Sequence, residues 1–331
     1  MKKVLITGAS GFIGNFLVDE AQKRGYEIYA AVRQTSNLKH LKTKNVRIVE
    51  FDFSDVNRLN PTVSALPRFD YVIHNAGVTK SLNKNTYFEV NHGNTGRLIY
   101  ALLKQGKVPD KFLLMSSLAA FGPGDKESER PILSTSTPRP VTTYGESKLS
   151  AEKLLFEQTL MPYIIIRPTA VYGPGEKNIF EAIKLINRGI NLQIAVRNQC
   201  LTFIYVKDLA RLVFDAIESS CTNKAYFATD GNLYSNRDLG QVVSHRLNKK
   251  AVYVALPIWL TKILAALTEL LCRMSNKVPA LNVEKVNELS ACNWRCDIAP
   301  LWSDLKFKSE YNLETGMNET IDWYKKEKWL K

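Results

Sequence analysis

The stretch VLITGASGFIG, residues 4–14, decides the fold. Val4–Thr7 is a short apolar run stopped by glycine, the pattern of a buried strand. Gly8, Gly11 and Gly14 follow at once, and Phe12–Arg24 carries helical spacing up to Gly25. Glycines between a strand and a helix permit a tight turn and let the backbone approach a pyrophosphate. The helix N-terminus offers that anion N–H groups and the positive end of a dipole. Three glycines alone are a weak signal. Their place after a strand and at the start of an amphipathic helix is the context that makes them a dinucleotide site. Gly8, Ser10, Gly11, Phe12, Ile13 and Gly14 are the candidate cofactor contacts of this loop.

The same alternation continues outward. Glu27–Val32, Val46–Phe51, Tyr71–His74, Lys111–Ser116 and Tyr163–Arg167 read as strands, with helices at Asn83–Lys104 and Tyr144–Gln158. Strands alternating with helices imply βαβ units. The expectation is an α/β chain with an NAD(P)-binding Rossmann fold, a doubly wound parallel sheet. After Tyr172 the rhythm changes. Residues 1–172 are expected to form the dinucleotide-binding domain, and 173–331 a smaller, mixed C-terminal substrate-binding region. Within the latter, 201–228 is expected to return to the sheet, through a strand at Leu201–Tyr205 and a helix at Lys207–Ser219. Further helices are expected at Ile179–Asn187, from Ser235 and Asp238 onward, and at Pro257–Met274. The loop 121–140, rich in Pro, Gly, Ser and charge, has the length of a functional lid.

Composition narrows the partners. With 331 residues, 45% hydrophobic and 23% charged, the chain can bury a sizeable core. A net charge of +13 admits an anionic ligand, nucleic acid or an anionic membrane surface. The basic residues are spread along the chain with no aromatic-interleaved cluster, which disfavours nucleic acid. No apolar stretch reaches the ~18 to 20 residues of a membrane span. Pro257–Met274 is apolar and aromatic but carries Lys262 and Glu269. It reads as a buried or lid helix, with membrane-surface association as the second reading. Five cysteines and no apolar leader ahead of the glycine loop fit a reducing, cytoplasmic compartment. Cys292 and Cys296 are four apart, but no second Cys/His pair completes a zinc set.

Residues 141–155, VTTYGESKLSAEKLL, place Tyr144 and Lys148 four apart on one helix face. An ammonium beside a phenol favours its ionised form and lowers its pKa from about 10. Proton transfer works best when the pKa is near the working pH. The plain alternative is a surface tyrosine and a solvated lysine. The second strand ends in AAVRQTSN, with no acidic residue to bond a ribose 2′-hydroxyl, whereas Arg33 suits a 2′-phosphate. NADP is therefore favoured over NAD.

The motifs then fall into one order. TGASGFIG at 7–14, Asp52 in EFDFSD, HNAG at 74–77 and Asn91 in EVNHGNT come first. SSLAAFG at 116–122, YGESK at 144–148, RPTAVYGPG at 167–175 and FIYVKDLA at 203–210 follow. In order and spacing they resemble the extended short-chain dehydrogenase/reductases, the group that holds the NAD-dependent epimerase/dehydratase family. The resemblance covers most of the chain. It implies Tyr144 as acid/base, with Lys148 lowering its pKa and bonding the nicotinamide ribose. It implies Ser117 as the hydroxyl beside the substrate oxygen, with Ser116 as a neighbour on the cofactor side. Asp52 and Phe53 are similar to the family's adenine contacts, and Ala76, Gly77 and Asn91 to contacts along the cofactor. Pro168 and Val171 lie where the family closes over the nicotinamide. A homodimer built from the helices at 83–104 and 144–158 is also implied.

Two departures limit the substrate. Nucleotide-sugar dehydratases carry an Asp-Glu pair beside the active serine, and SSLAAFG has no carboxylate. Nucleotide-sugar epimerases often carry a diphosphate-binding arginine where this chain has Leu201, with Arg188 and Arg197 as nearby substitutes. Trp259, Leu260, Ile263, Leu264 and Leu267 are expected either to line an apolar pocket or to form ordinary core. The expected function is hydride transfer at a secondary alcohol or ketone of an apolar or sterol-like small molecule. This is the side of the family similar to 3β-hydroxysteroid dehydrogenases and dihydroflavonol reductases. The alternatives are a nucleotide-sugar 4-epimerase with tightly bound NAD and a non-catalytic dinucleotide sensor. Sensing would not require the intact Ser117, Tyr144 and Lys148 set.

Overall fold

In chain order the strands are β1 (Lys3–Thr7), β2 (Glu27–Val32), β3 (Arg47–Glu50), β4 (Tyr71–His74), β5 (Lys111–Met115) and β6 (Tyr163–Pro168). They are followed by β7 (Ala170–Tyr172), β8 (Ile190–Ile194), β9 (Phe203–Tyr205), β10 (Lys224–Ala228) and β11 (Val252–Leu256). The computed structural model describes residues 1–126, 130–196, 198–275, 277–279 and 281–330. Arg197 and part of the 121–140 loop lie outside them.

Seven strands form one parallel sheet in the order β10-β6-β5-β4-β1-β2-β3. Parallel neighbours need crossover connections, and helices on both faces supply them. Alternation along β1 shows the two-sided burial. Val4 and Ile6 enter one core, with the helices Phe12–Lys23 and Val206–Glu218. Leu5 enters the other, with Val56–Ala65, Asn94–Lys104 and Thr143–Phe156. Thr7 is opposite Ala31 on one side and His74 on the other. The chain thus leaves β1 in both directions across the sheet. That reversal opens a crevice beyond the carboxyl ends of β1 and β4.

Several details differ from the sequence reading. Asn83–Lys104 is not one regular helix: it is Lys84–Tyr87, a π-helical turn Phe88–Gly93, and Asn94–Lys104. The wider turn carries Asn91 inward to polar partners, as such turns often do at functional sites. Of 201–228, only β10 joins the central sheet, on β6. β9 pairs with β7 instead, because the chain turns out of the sheet at Thr169, whose N–H donates to Ala228 O at 3.0 Å. A helix not read from the sequence forms at Val56–Ala65, with Pro61 inside it. Asp55 accepts the Asn57 N–H at 3.0 Å to start the helix, and Leu59 and Val63 are buried. Ile258–Met274 is a helix, but Trp259, Ile263, Leu264 and Leu267 are exposed rather than core or pocket lining.

Candidate functional site

The glycine loop is shaped by close contacts. Gly8 has φ +67°, and a Cβ there would lie 2.8 Å from Ala76 N. A Cβ on Gly14 would lie 2.1 Å from Gly8 O. No side chain fits at either place. Gly11 caps Phe12–Lys23 without a side-chain hydrogen bond, so the first-turn N–H groups face the crevice without a capping group. Ser10, Phe12 and Ile13 are half-buried beside them, with the Phe12 ring edge-on to Phe16 at 6.0 Å. An uncapped helix N-terminus behind a loop this tight fits the pyrophosphate of a dinucleotide.

Hydrogen bonds tie the neighbouring loop to this one. Ala76 N donates to Thr7 Oγ1 at 3.1 Å, and Thr7 Oγ1 lies 2.8 Å from His74 Nδ1. A Cβ on Gly77 would meet Asn91 Oδ1 at 2.9 Å and Lys148 Nζ at 3.1 Å. Asn91 is buried, accepts from Val78 N at 2.9 Å, and donates to Val78 O at 3.0 Å and Ser147 Oγ at 2.9 Å. Ala76, Gly77, Asn91 and the YGESK segment therefore meet at one place.

Thr142 caps the helix Thr143–Phe156 by accepting the Gly145 N–H at 3.1 Å, which puts Tyr144 on its first turn. Ser117 follows β5 and accepts the Ala119 N–H at 3.2 Å. Ser117 lies close enough to the Tyr144 phenol to act on its ionisation. Burial pushes that phenol up to about 12, and Ser117 opposes the rise. Lys148 is buried, donates to Met115 O at 2.8 Å, and is pulled down to about 8 by burial. Burial, Glu288 and Tyr87 all raise the phenol and Ser117 alone opposes them; Lys148 is not among the groups that act on it.

Ser116 has a different environment. Its hydroxyl donates to Glu152, which is fully buried and pairs with Arg167 through Nη2 at 2.7 Å. The Ser116 side chain is committed to that pair, and Ser117 is the serine beside Tyr144. Arg33 is exposed just after β2, its N–H donating to Ser36 Oγ at 3.0 Å. Asp52 accepts from Ser54 N and Oγ and from Arg58 Nη1, which hold its carboxyl down to about 2. Phe53 packs between the Phe51 ring at 5.6 Å and the His74 ring at 6.2 Å. Pro168 ends β6, and Val171 lies in β7, in register with Ile204. Leu201 is bonded through its backbone to Tyr234, and Arg188 is exposed after the helix Lys177–Asn187.

Some polar groups at the site carried no sequence signal. Glu284 accepts from Thr143 N at 2.9 Å, Thr143 Oγ1 at 2.8 Å and Lys84 Nζ at 2.5 Å, across 141 residues in the first two cases. Its neighbour Glu288 adds a negative charge that acts on Tyr144. Ser147 could have been found, since it lies inside YGESK one turn after Tyr144.

Known proteins resemble this chain in sequence and fold. A UDP-glucose 4-epimerase of Vibrio cholerae is 27% identical over 80% of this chain and 82% of its own. A ceramide reductase of Caulobacter vibrioides is 24% identical over 99% of this chain and 96% of its own. The crystal structure of a UDP-glucose 4-epimerase of Thermotoga maritima with UDP-glucose superposes with a TM-score of 0.79 at 20% identity, over 98% and 99% of the two chains. The family model for the NAD dependent epimerase/dehydratase family matches residues 4–227, well over half of the sequence. With the glycine loop, the crevice and the Ser117–Tyr144–Lys148 constellation in one fold, the chain belongs to the NAD dependent epimerase/dehydratase family.

Proposed function

We propose that the chain is an NADP(H)- or NAD(H)-dependent oxidoreductase that acts on a secondary alcohol or ketone of an apolar, lipid- or sterol-like molecule. The observation that carries this reading is the buried Tyr144 phenol with Ser117 acting on it, on the same helix face as Lys148, whose ammonium borders Gly77. When bound, the nicotinamide supplies the hydride chemistry. Ser117 orients the substrate oxygen. Tyr144 stays protonated at neutral pH because burial disfavours the phenolate, so it is set to give a proton to a ketone oxygen. Lys148 changes charge near pH 8 and can pass a proton on after each turnover. Leu201 offers no cation to a diphosphate, which favours an apolar substrate. Similarity to a ceramide reductase along 99% of the chain supports the same direction. Arg33, exposed at the end of β2, supports NADP. The helices Asn94–Lys104 and Thr143–Phe156 are the proposed homodimer face.

Tyr144→Phe should lower turnover of NADPH with a long-chain ketone or a 3-oxo sterol by about 10²- to 10⁴-fold, while cofactor binding persists. Unchanged turnover would remove Tyr144 from the proton path. Arg33→Ala should weaken NADPH binding more than NADH binding in a fluorescence titration. Equal losses would take Arg33 away from the 2′-phosphate.

The second reading, a nucleotide-sugar 4-epimerase, is favoured by the 27% identity to the Vibrio cholerae enzyme. Denaturing freshly purified protein separates the two. Stoichiometric release of NAD supports the epimerase. Empty protein that prefers NADPH supports the reductase.

A further inference from the structure

The helix Ile258–Met274 presents its apolar side chains to the outside. Trp259 is 64% exposed, Leu270 58%, Leu271 64% and Met274 79%, and only Thr261 and Ala265 are buried. At 3.6 residues per turn, Trp259, Ile263, Leu267, Leu270 and Met274 fall on one stripe, with Leu264 and Leu271 beside it. Thr261 and Ala265 lie on the opposite side, where the helix rests on Val283–Leu289. Lys262 and Arg273 fall at the edge of the apolar arc. Exposed apolar area of this extent marks an interaction surface.

Pro257 links the helix to β11, whose partner is β8. Register pairs Ile190 with Val252 and Leu192 with Val254, and Ile190, Leu192 and Val252 are exposed. Arg188 lies two residues before β8, and Lys249 and Lys250 lie just before β11, at the same end of the pair. All three are exposed, and none has an ion-pair partner among the described residues. Lys277 is exposed beyond the helix. Exposed cations thus adjoin the apolar helix along the chain, Lys249 and Lys250 before β11 and Lys277 after the helix.

We propose that this face docks the protein onto an anionic lipid bilayer, with Ile258–Met274 lying in the plane of the headgroups. Seventeen residues span only about 25 Å at 1.5 Å per residue, short of the ~30 Å hydrocarbon core, and no described helix is long and apolar enough to cross a membrane. Trp and Leu on one side with Lys and Arg at the margin is the chemistry of an interfacial helix. An anionic bilayer also suits the chain's net charge of +13, whereas a second copy of the chain would bring the same positive charge to the contact. Docking goes beyond the proposed reaction and needs neither cofactor nor substrate.

Co-sedimentation of the full chain with vesicles tests it. The protein should bind vesicles of phosphatidylcholine mixed with phosphatidylglycerol, and bind pure phosphatidylcholine far less. Leu267→Glu combined with Leu271→Glu should cut the bound fraction about tenfold or more, with the circular dichroism unchanged because both sites are exposed. Arg188→Glu combined with Lys250→Glu should remove the preference for anionic vesicles. Wild-type protein that stays in the supernatant overturns the proposal. So does a wild type and Leu267→Glu/Leu271→Glu pair that bind alike. A dimer that this double variant dissociates in light scattering, with no vesicle binding by the wild type, overturns it in favour of a second copy.

Discussion

At the scale of single residues, burial moves three titratable groups around the crevice in opposite senses. It raises the Tyr144 phenol to about 12 and lowers the Lys148 ammonium to about 8 and the His74 imidazole to about 3. In each case the neutral form is favoured, as desolvation requires. For His74 the nearby Lys148 ammonium adds to the effect. This has a consequence for stability. Above about pH 6.5 the imidazole is neutral both folded and unfolded. As pH falls from there to about 3, the unfolded chain takes up a proton that the folded chain refuses, so stability is lost. The loss is at most about 1.4 kcal/mol per pH unit across that window. Urea midpoints measured from pH 7 to pH 4 should therefore fall less steeply for His74→Gln than for the wild type. Parallel curves would show that His74 does not carry the effect. The i, i+4 spacing of Tyr144 and Lys148 was legible in the sequence. The sign of the phenol's shift was not, because it depends on how much water the fold excludes.

At the scale of elements, the helix Thr143–Phe156 is tied to its surroundings by one acidic group from elsewhere and one of its own. Glu284 bonds its first turn, and Glu152 near its other end forms a buried pair with Arg167 on β6. The Arg167 guanidinium also stacks over Phe121 at 4.3 Å and Phe227 at 5.4 Å. Removing one partner leaves an uncompensated charge in the core. Glu152→Ala should cost about 3–5 kcal/mol in chemical denaturation. Replacing both members by methionine should recover much of that loss, since an apolar pair of similar volume avoids desolvation. A Glu152→Ala cost below about 1 kcal/mol would mean that water reaches Arg167. The helix itself was visible from its spacing. Its anchors were not, because Glu152 reads as another charge on a polar helix until the sheet is placed beneath it.

At the scale of the whole molecule, exposed apolar groups point to contacts beyond the chain. Tyr100 is 50% exposed and Phe156 49%, one on each helix of the proposed dimer face. Light scattering should give a dimer, and Tyr100→Glu with Phe156→Glu should shift it to monomer. A monomeric wild type would exclude that face as a stable interface. The glycine loop, the βαβ alternation and YGESK could be read from the sequence because each is local. Strand, turn and helix geometry acts within a few residues, and Gly8 and Gly14 need no distant partner to announce a tight turn. The tertiary structure alone decided the rest. It gave the Ser116 hydroxyl to Glu152, brought Glu284 across 141 residues to Thr143, and turned β7 out of the sheet with β9 beside it. It also left the apolar arc of Ile258–Met274 uncovered. Periodicity states that a helix has an apolar side, but only packing determines whether that side faces a core, a pocket or the surroundings.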